Sequence, residues 1–524
     1  MALRWYVPPL SERMVEMVWP VVDGVFIADT PARCRDALRI IKDQKIVGVD
    51  VEAYGADPKK EHPKGKARAI SIQFAGERGP AIFVPLWTVK NVNRDGTWEI
   101  DPQGREHLLD IFAKWLEDAE PRKVLHNGKF DRHVLANHGI TMRGFLGDTL
   151  VMDYFYANGE QLHGLKECMR RYFGEKGAVD YSDVFKVPKP LKRPRKDKAT
   201  GRVIKFGKQK YLQPLTEVVQ TQEGVDKLVA YAVKDPVFTV RLYKHLKAKL
   251  KEMKWVNQGD VVLSYFDFYE RIARPYGDVL YEMEREGCLI DQKKLESIRE
   301  RLDTDIEEVE RKFMKACVAY GIKPSRMEKF NINSGGQVAS LLYDEIWMRC
   351  ERRTNNGAKA TSKSALEAIV AKRHRSKRAE EHAKIVELLL KHRSLATLRK
   401  MFIRPLCKFV PEYGGRIHSD FKQTGTETGR LSSSKPNTEN IPANKKDEVY
   451  QLRSCFIAPP GYVVGDIDLK QIEVRFTAHF TKDKTLIQLL ENGWDQHLIA
   501  MCMLSDEVRE VCGAKYENGL VTFR

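Results

Sequence analysis

Four carboxylates on three separate segments constrain the fold of the first half of this chain. Asp50 and Glu52 lie two residues apart in the strand-like run KIVGVDVEAYG, so both side chains point to one face of a strand. Asp131 lies in NGKFD and Asp235 in YAVKD, two helix-like segments. A fold that joins these segments gathers four acids, which repel one another unless cations lie between them. The sequence therefore predicts a cation site built from three elements.

The predicted site suits divalent metal ions and chemistry at phosphorus. Carboxylate oxygens are the ligands that Mg²⁺ or Mn²⁺ prefers. Two such ions would stabilise the attacking and leaving oxygens of an in-line displacement. Asn127 precedes Asp131 by four residues, and Tyr231 precedes Asp235 by four, so each pair shares a helix face. Tyr231 could orient the attacking water.

Strand-like and helix-like segments alternate around these acids, which indicates an α/β domain. ARAISIQFAG and AIFVPL read as strands, HLLDIFAKWLED reads as a helix, and residues 148–174 are helical in pattern. A basic insertion at residues 186–210 interrupts them, with eleven Lys or Arg, one acid and three prolines. We expect a loop there. It either contacts nucleic acid or is a solvated surface insertion, and the sequence favours neither.

In order and spacing, the acid motifs resemble those of the DEDD-type 3′–5′ exonucleases, in the variant with Tyr in the last motif. The resemblance spans roughly residues 22–248 and implies a ribonuclease H-like fold, with the domain placed at residues 1–248. Pro236 departs from the pattern and raises the alternative that Asp235 caps a new helix, with Pro236 in its first turn. The resemblance implies the metal ligands Asp50, Glu52, Asp131 and Asp235, the catalytic Tyr231 and the DNA-contacting Asn127.

The second half begins with a mostly helical region and ends in a segment rich in Gly, Ser, Thr and Asn. TETGRLSSSKPNTENIP and VVGDIDLKQIEVR closely resemble motifs of the family A (DNA polymerase I-like) DNA polymerases, and VLYEMEREGCLID resembles that family's thumb. The resemblance implies a helical thumb at residues 249–413 and a partial palm at 414–524. SCFIAPPGYVVGDIDL is expected to be a strand, and IEVRFTAHF a helix.

The polymerase resemblance also implies residue roles. Asp468 matches the metal-binding Asp of the first polymerase motif, and Glu473 matches the Glu that excludes a ribose 2′-hydroxyl. Gln471 matches a position that flanks Glu473, and the resemblance implies that it contacts the nucleotide. Contacts with the primer–template are implied for Arg430, Asn437 and Asn440. Leu469 and Lys470 depart from the family pattern of an aromatic residue followed by Ser.

Two motifs of the polymerase family are missing from the 524 residues: the fingers helix R-x-x-x-K-x-x-x-Y/F-G and the later H-D-E. Three explanations stay open: a split polymerase completed by a second polypeptide, a gene interrupted by an intron or intein, or decay. The intact thumb and first motif disfavour decay. With no 5′-nuclease segment before the first domain, the resemblance favours a phage-type enzyme. Deoxynucleoside triphosphates would bind only once the polymerase is completed.

Bulk composition limits the class of protein and its partners. The net charge of +17 favours a polyanionic partner such as DNA, as primer–template or as a single-stranded 3′ end. Nine scattered cysteines without a C-x-x-C pair favour a reducing compartment. No apolar run is long enough to cross a bilayer, so we expect no membrane partner and a cytoplasmic location, in the host cytoplasm if the chain is phage-encoded.

The leading hypothesis is a proofreading 3′–5′ exonuclease joined to the N-terminal part of a DNA polymerase in DNA replication. Two alternatives stay open. One is a non-catalytic subunit that binds primer–template, which rests on the charge, Pro236 and the missing motifs. The other is a ribonuclease D-like enzyme that trims RNA 3′ ends, because related DEDD enzymes act on RNA.

Overall fold

The computed structural model describes residues 24–55, 67–157, 162–175, 178–196, 203–258, 261–350, 352–354, 356–442, 450–493, 495–517 and 520–523. The chain forms two compact units, residues 1–457 and residues 458–524. Over the described ranges, no helix has both the length and the apolar character required to cross a membrane.

A six-stranded mixed sheet forms the centre of the N-terminal region, in the order β1-β4-β3-β2-β7-β8. β2 pairs antiparallel with β3 and parallel with β7, so it lies inside the sheet with partners on both sides. β3 is buried along nearly its whole length, as expected for a central strand covered on both faces. The strands of this region, including a short β5–β6 hairpin, are β1 Val25–Ile27, β2 Val47–Tyr54, β3 Arg68–Gly76, β4 Ala81–Pro85, β5 Thr88–Val92, β6 Trp98–Asp101, β7 Lys123–Leu125 and β8 Phe145–Asp148.

Helices cover the sheet and supply two of its apolar cores. One core contains α1, α2 and residues of α3, and another contains α4, α5 and α9. The helices are α1 Pro31–Lys42, α2 Leu109–Leu116 after a 3₁₀ turn at Glu106–Leu108, α3 Gly128–Asn137, α4 Thr149–Tyr156, α5 Leu165–Phe173, α6 Tyr181–Phe185, α7 Leu215–Val218, α8 Gln222–Ala232 and α9 Lys234–Glu252. The predicted α/β pattern of this region is therefore what the chain adopts.

The expectation of a loop at residues 186–210 was wrong for residues 186–196 and 203–210, and residues 197–202 lie outside the described ranges. β9 (Lys186–Lys196) and β10 (Val203–Leu212) pair antiparallel into a two-stranded ribbon. The three prolines suggested a loop because proline cannot donate to a sheet ladder. They are tolerated here because each strand has only one partner, and the register shifts twice along the pair.

The region after α9 is helical and encloses its own apolar core around Phe313, Leu341 and Leu389. A β11–β12 hairpin, Lys254–Gln258 with Val261–Ser264, precedes it. Its helices are α10 Tyr265–Phe268, α11 Arg274–Glu286, α12 Gln292–Ala319, α13 Pro324–Met327, α14 Gly335–Ser340, α15 Lys363–Val370, α16 Lys377–Leu398 and α17 Arg404–Glu412. Single π-helical turns at Tyr269–Ala273, Leu341–Glu345 and Arg399–Ile403 and a 3₁₀ turn at Arg373–Arg375 interrupt these helices.

Short strands join the end of the first unit to the helical region. β13 Cys288–Leu289 pairs with β14 Arg416–Ile417, and β15 Asp420–Lys422 pairs with β16 Ser432–Ser434. A 3₁₀ turn at Leu452–Cys455 follows. Residues 414–457 are therefore part of the first compact unit.

A buried carboxylate on α11 links this segment to the N-terminal region. Glu284 accepts hydrogen bonds from Lys129 Nζ at 2.7 Å and from the backbone N–H of Phe421 at 2.7 Å. Its second oxygen lies 2.7 Å from His133 Nε2. Lys129 and His133 belong to α3, whereas Phe421 lies in β15. Lys129 Nζ also contacts the carbonyl oxygen of Phe421.

The second unit contains four helices and a hairpin. These are α18 Ile472–Thr481, α19 Lys484–Glu491, α20 Gln496–Leu504 and α21 Asp506–Cys512, with β17 Ala514–Glu517 paired to β18 Leu520–Phe523. The helix expected in IEVRFTAHF is present, but the strand expected through VVGDIDL is not. Residues 462–469 have no regular structure and are exposed. A strand requires a partner for its backbone groups, and within the described ranges none pairs with this segment.

Replacement of Glu284 by Ala is expected to lower the free energy of unfolding of the first unit by about 3–5 kcal/mol, because Lys129 and His133 lose a buried acceptor. Scanning calorimetry of the whole chain measures the change as a lower melting temperature. Glu282→Ala is the matched control, since this glutamate lies on the same helix and is exposed. Equal melting temperatures for the two variants would contradict the role given to Glu284.

Candidate active site

The sheet and the start of α9 bring three of the predicted acids together. Asp50, Glu52 and Asp235 each offer a carboxylate oxygen, and these oxygens lie within 4.8 Å of one another. Asp50 and Glu52 are half-buried on β2, where they lie opposite Gln73 and Ser71 of β3. Within the described ranges, this is the one cluster of three or more such groups that could hold a metal ion.

Asp131 lies beside this cluster without belonging to it. The residue is buried in the first turn of α3, and its Oδ1 accepts a hydrogen bond of 2.9 Å from the N–H of Val51. Val51 separates Asp50 from Glu52, so this bond holds α3 against the strand that carries both acids. The negative charge of Asp50 contributes to the raised pKa of Asp131, after the larger effect of burial.

The chain between Tyr231 and Asp235 breaks into two helices. α8 ends at Ala232 and α9 begins at Lys234, so Asp235 and Pro236 lie in the first turn of α9. Pro236 removes no helical hydrogen bond there, because the first N–H groups of a helix have no partner in it. The alternative is therefore correct that a new helix begins here with Pro236 in its first turn, but Val233 and not Asp235 is the residue that caps it.

A glycine lets α9 approach β2 closely. A Cβ atom on Gly48 would lie 2.2 Å from the carbonyl oxygen of Pro236, a distance that real Cβ atoms do not show. The first turn of α9 therefore rests on the bare backbone of β2. This contact brings Asp235 to the strand that carries Asp50 and Glu52.

Lys166 is a buried cation in the cluster, and sequence reasoning missed it. Its ammonium group contacts the Asp235 carboxylate and lies 4.6 Å from the centre of the Tyr231 ring. Burial lowers the pKa of Lys166 to about 8, although the charges of Asp50 and Glu52 act to raise it. The only signal in the sequence is a lysine among the buried apolar positions of α5, such as Leu165 and Met169.

Burial and mutual repulsion shift the pKa values of the acids. Burial raises the pKa of Asp50 to about 6, against the opposing charge of Lys166. Burial and the charge of Asp50 raise the pKa of Glu52 to about 8. Burial, with the charges of Glu52 and Asp50, also raises the pKa of Tyr231 above its ordinary value. The Tyr231 hydroxyl is therefore protonated at neutral pH.

Asp148 is a second residue that the motifs did not reveal. Its carboxylate accepts hydrogen bonds from the N–H groups of Asn127 at 2.9 Å and Gly128 at 2.8 Å, and so caps the start of α3. Asn127 has a left-handed backbone conformation with φ of 61°. The backbone N–H of Asp148 donates a hydrogen bond of 2.6 Å to the hydroxyl oxygen of Tyr269, which lies in the helical region.

The predicted primer–template residues of the first unit lie around the β15–β16 hairpin. Arg430 is exposed in the loop between the strands, and its carbonyl oxygen accepts a hydrogen bond of 2.7 Å from Thr426 Oγ1. Asn437 and Asn440 follow β16, where the Asn440 N–H donates to Asn437 Oδ1 at 3.2 Å. The Tyr154 hydroxyl of α4 donates to the carbonyl oxygen of Thr426 at 2.7 Å. This loop is therefore anchored to the N-terminal region.

The remaining predicted polymerase residues lie in the second unit. Asp468 is exposed in the irregular segment before α18, and Gln471 caps that helix with φ of 52°. Glu473 lies in the first turn of α18 and is exposed. Asp468 belongs to no carboxylate cluster within the described ranges.

The donor set around β2 fits a divalent cation. Asp50, Glu52 and Asp235 supply hard oxygen ligands at one point, and Asp131 lies beside them. Burial raises the pKa values of Asp50 and Glu52, and the charge of Asp50 adds to the effect on Glu52, so a bound cation would favour the ionised forms of both. Lys166 supplies only a single positive charge there.

Two family models match the chain. Residues 25–251 match the 3′-5′ exonuclease family, and residues 292–514 match DNA polymerase family A. The two matches follow one another along the chain, so its first part is similar to 3′-5′ exonuclease domains and its second part to DNA polymerase family A. The expected fold class, an α/β exonuclease domain followed by a helical and palm region, is confirmed.

Several known proteins are similar in sequence to this chain. DNA polymerase I of Pseudomonas aeruginosa is 25% identical over 462 residues, which are 88% of this chain and 43% of the relative. DNA polymerase I A, chloroplastic, of Oryza sativa subsp. japonica is 25% identical over 617 residues, 96% of this chain and 56% of the relative. The thermostable DNA polymerase I of Thermus thermophilus is 32% identical over 258 residues, 49% of this chain and 28% of the relative. The chain spans about half the length of the first two.

A solved structure shares the fold. It is the POL domain of Pol1 from M. smegmatis, in complex with DNA primer-template and dNTP. The match has a TM-score of 0.63 at 22% identity and covers 92% of this chain and 69% of that one.

The stabilisation of the chain by Mg²⁺ or Mn²⁺ is expected to grow as the pH rises from 6 to 8. The folded-state pKa values of Asp50, about 6, and Glu52, about 8, lie above their ordinary values. Protonation of these acids therefore stabilises the metal-free fold at low pH, and this contribution is lost as the pH rises through both values. A divalent ion binds the deprotonated acids, so its effect increases over the same range.

Thermal melting with and without the metal, at each pH, measures this effect. Glu52→Gln is expected to give a smaller metal-induced rise in melting temperature that depends less on pH above 6. A metal-induced rise of the same size at pH 6 and pH 8 in the unmodified chain would contradict the expectation.

Proposed function

We propose that the N-terminal region is a metal-dependent 3′–5′ exonuclease that shortens DNA and serves proofreading. The observation that carries this proposal is the cluster of Asp50, Glu52 and Asp235 within 4.8 Å. The match of residues 25–251 to the 3′-5′ exonuclease family supports the reaction class. DNA as the substrate is supported by the polymerase-family match of the rest of the chain and by the DNA primer-template bound in the M. smegmatis structure.

Each residue of the site has a distinct part in the proposed hydrolysis. Asp50, Glu52, Asp131 and Asp235 would hold Mg²⁺ or Mn²⁺, which supplies positive charge where the attacking and leaving oxygens become negative. The protonated Tyr231 hydroxyl can donate a hydrogen bond and orient the attacking water. A bond forms between the water oxygen and phosphorus, and the bond from phosphorus to the 3′ oxygen breaks. The products are a nucleoside 5′-monophosphate and a shortened strand with a 3′-hydroxyl.

Asn127 is placed to contact the DNA next to this site. Its backbone is fixed by Asp148 at the start of α3, the helix that carries Asp131. Because α3 also holds the acid against β2, the substrate contact and the metal site share one support. The sequence-based assignment of Asn127 to DNA binding is therefore kept as part of the proposal.

Asp131→Asn is expected to lower the rate of the exonuclease by more than about 100-fold, since loss of an outer partner of a metal ligand alone costs 10–100-fold. Asn can still accept the hydrogen bond from Val51, so the fold is retained. The assay follows a 5′-labelled single-stranded DNA in Mg²⁺ on a sequencing gel. Asp110→Ala is the matched control, an exposed acid in the first turn of α2.

Other outcomes of this assay separate the remaining hypotheses. Equal degradation by the unmodified chain and by Asp131→Asn would contradict the exonuclease site. DNA binding without any metal-dependent degradation would favour the non-catalytic subunit. Faster degradation of an RNA of the same sequence would favour the RNA-trimming enzyme.

We further propose that Asp468, Gln471 and Glu473 belong to a DNA-synthesis site that needs residues from another segment. Arg430, Asn437 and Asn440 would hold the primer–template, because amides and guanidinium groups can donate to minor-groove acceptors common to every base pair. Asp468 supplies one carboxylate, whereas a two-metal site requires at least two. The full fingers motif R-x-x-x-K-x-x-x-Y/F-G and the motif H-D-E, neither of which occurs in these 524 residues, would supply the triphosphate contact and the second acid. The phage-type origin stays a prediction.

The 524-residue chain alone is therefore expected not to extend a primer. A primer–template with all four deoxynucleoside triphosphates and Mg²⁺, in the Asp131→Asn background to prevent degradation, measures extension directly. A second polypeptide that carries both missing motifs should restore it, and Asp468→Asn should abolish the restored activity. Extension by the chain on its own would show that the site is complete without that segment.

A further inference from the structure

The paired strands β9 and β10, called here the basic ribbon, carry a charge that the exonuclease chemistry does not use. In the sequence, residues 186–210 contain eleven basic residues and one acid, a net charge of +10 in a chain whose net charge is +17. The single acid is outside both strand ranges, so β9 and β10 together carry nine Lys or Arg and no acid. Like charges at this density repel one another, and a polyanion bound along the ribbon would relieve the repulsion.

The backbone of β9 is a poor edge for a further strand. Within the described ranges β9 pairs with β10 alone, from Lys186 opposite Leu212 to Lys196 opposite Val203. Pro188, Pro190 and Pro194 lie in β9, and each lacks a backbone N–H that could join a sheet ladder. Proline and lysine in an edge strand disfavour pairing with other chains. The basic ribbon is therefore better suited to bind an anionic partner through its charge than to pair with a further strand.

The root of the basic ribbon lies at the candidate exonuclease site. Phe185, the residue before β9, is buried, and its ring centre lies 5.8 Å from that of Tyr231. Tyr181 lies 5.9 Å from the same ring. Both strands are tied at this point, because the N–H of Gln213 donates to the carbonyl oxygen of Phe185 at 3.0 Å and Tyr181 donates to that of Gln213 at 2.8 Å. The ribbon thus begins from the aromatic residues that hold the proposed catalytic tyrosine.

The length of the ribbon matches a stretch of nucleic acid. β9 has eleven residues, which at about 3.3 Å per residue span roughly 35 Å. Successive phosphates of one DNA strand lie about 3.4 Å apart along the helix axis, so the ribbon can follow about ten nucleotides. A two-stranded ribbon also has the width that the major groove of a duplex admits.

We propose that the basic ribbon is a DNA-binding arm that holds the sugar–phosphate backbone of the DNA leading to the exonuclease site, without sequence preference. The role of the arm in positioning the substrate rests on the proposed exonuclease function. Its binding of DNA is a separate property that can be measured without that activity. Phosphate contacts position nucleic acid without reading its sequence. The arm would keep the 3′ end near Tyr231 between successive cleavages, and so lower the KM for long substrates more than it changes kcat.

The first test measures binding against salt. The variant Lys189→Gln, Lys192→Gln, Arg193→Gln and Arg195→Gln removes four charges from β9. The matched control removes four exposed charges in and just after α1, with Arg35→Gln, Arg39→Gln, Lys42→Gln and Lys45→Gln. These residues precede β2, at the end of that strand away from Glu52. All chains carry Asp131→Asn so that the DNA survives.

Fluorescence anisotropy of labelled DNA between 50 and 200 mM KCl gives the slope of log K against log salt. In the ribbon variant the magnitude of this slope is expected to fall by up to about 3, because each lost phosphate contact removes about 0.7–0.9. The control is expected to keep the parent slope, and melting temperatures show whether each variant is folded. Separate measurements on a single strand and on a blunt duplex identify which form the arm holds. A parent-like slope on both forms would overturn the proposal.

The second test separates the arm from the chemistry. With Asp131 intact, the ribbon variant should raise the KM for a 30-nucleotide single strand with little change in kcat. Hydrolysis of the p-nitrophenyl ester of thymidine 5′-monophosphate, which is too small to reach along the ribbon, should not change. No hydrolysis of either substrate by the parent would refute the exonuclease function and leave the binding slopes as the test of the arm. An unchanged KM for the long strand would refute the positioning role.

Discussion

The buried carboxylate of Glu284 is the interaction on which the arrangement of the first unit most depends. A carboxylate taken out of water is costly unless its oxygens accept several hydrogen bonds. Here the donors come from α3 on one side and β15 on the other, so satisfying one buried charge fixes three elements at once. α3 carries Asp131, and β15 leads into the loop of Arg430. The candidate exonuclease site and the proposed primer–template contact therefore share one support.

The candidate site balances charge in a way that suits reversible metal binding. The carboxylates of Asp50, Glu52 and Asp235 lie within 4.8 Å of one another, and the one buried cation that contacts them is Lys166 among the residues that the structure describes. A divalent ion would replace both the bound protons and the partial compensation by the lysine. Tyr231 lies against the same lysine and is tied to the root of the basic ribbon through Phe185. The proposed metal site, the tyrosine proposed to orient the water and the start of the proposed DNA-binding arm thus involve one group of neighbouring side chains.

The local sequence pattern was enough to predict which elements carry the acids, but not which residues hold those elements in place. Strand and helix periodicity place Asp50, Glu52 and Asp131 correctly, because each motif lies within one regular element. Lys166, Asp148 and Glu284 were missed, since their partners are distant in sequence and a lone charged residue carries no periodic signal. The loop predicted at residues 186–210 and the strand predicted through the segment of Asp468 were wrong for a common reason. Both predictions used the local sequence alone, whereas strand formation depends on whether another segment pairs with the residues in question.

The contact between Gly48 and Pro236 sets how the metal site responds to change elsewhere in the protein. Where two elements are separated by side chains, their spacing drifts when those side chains are exchanged. Here backbone lies on backbone, so no side chain intervenes between β2 and the first turn of α9. The spacing of Asp235 from Asp50 and Glu52 is thereby insulated from substitutions in the apolar cores. The same contact makes position 48 the place where a single added methyl group would act directly on the gap between the metal ligands.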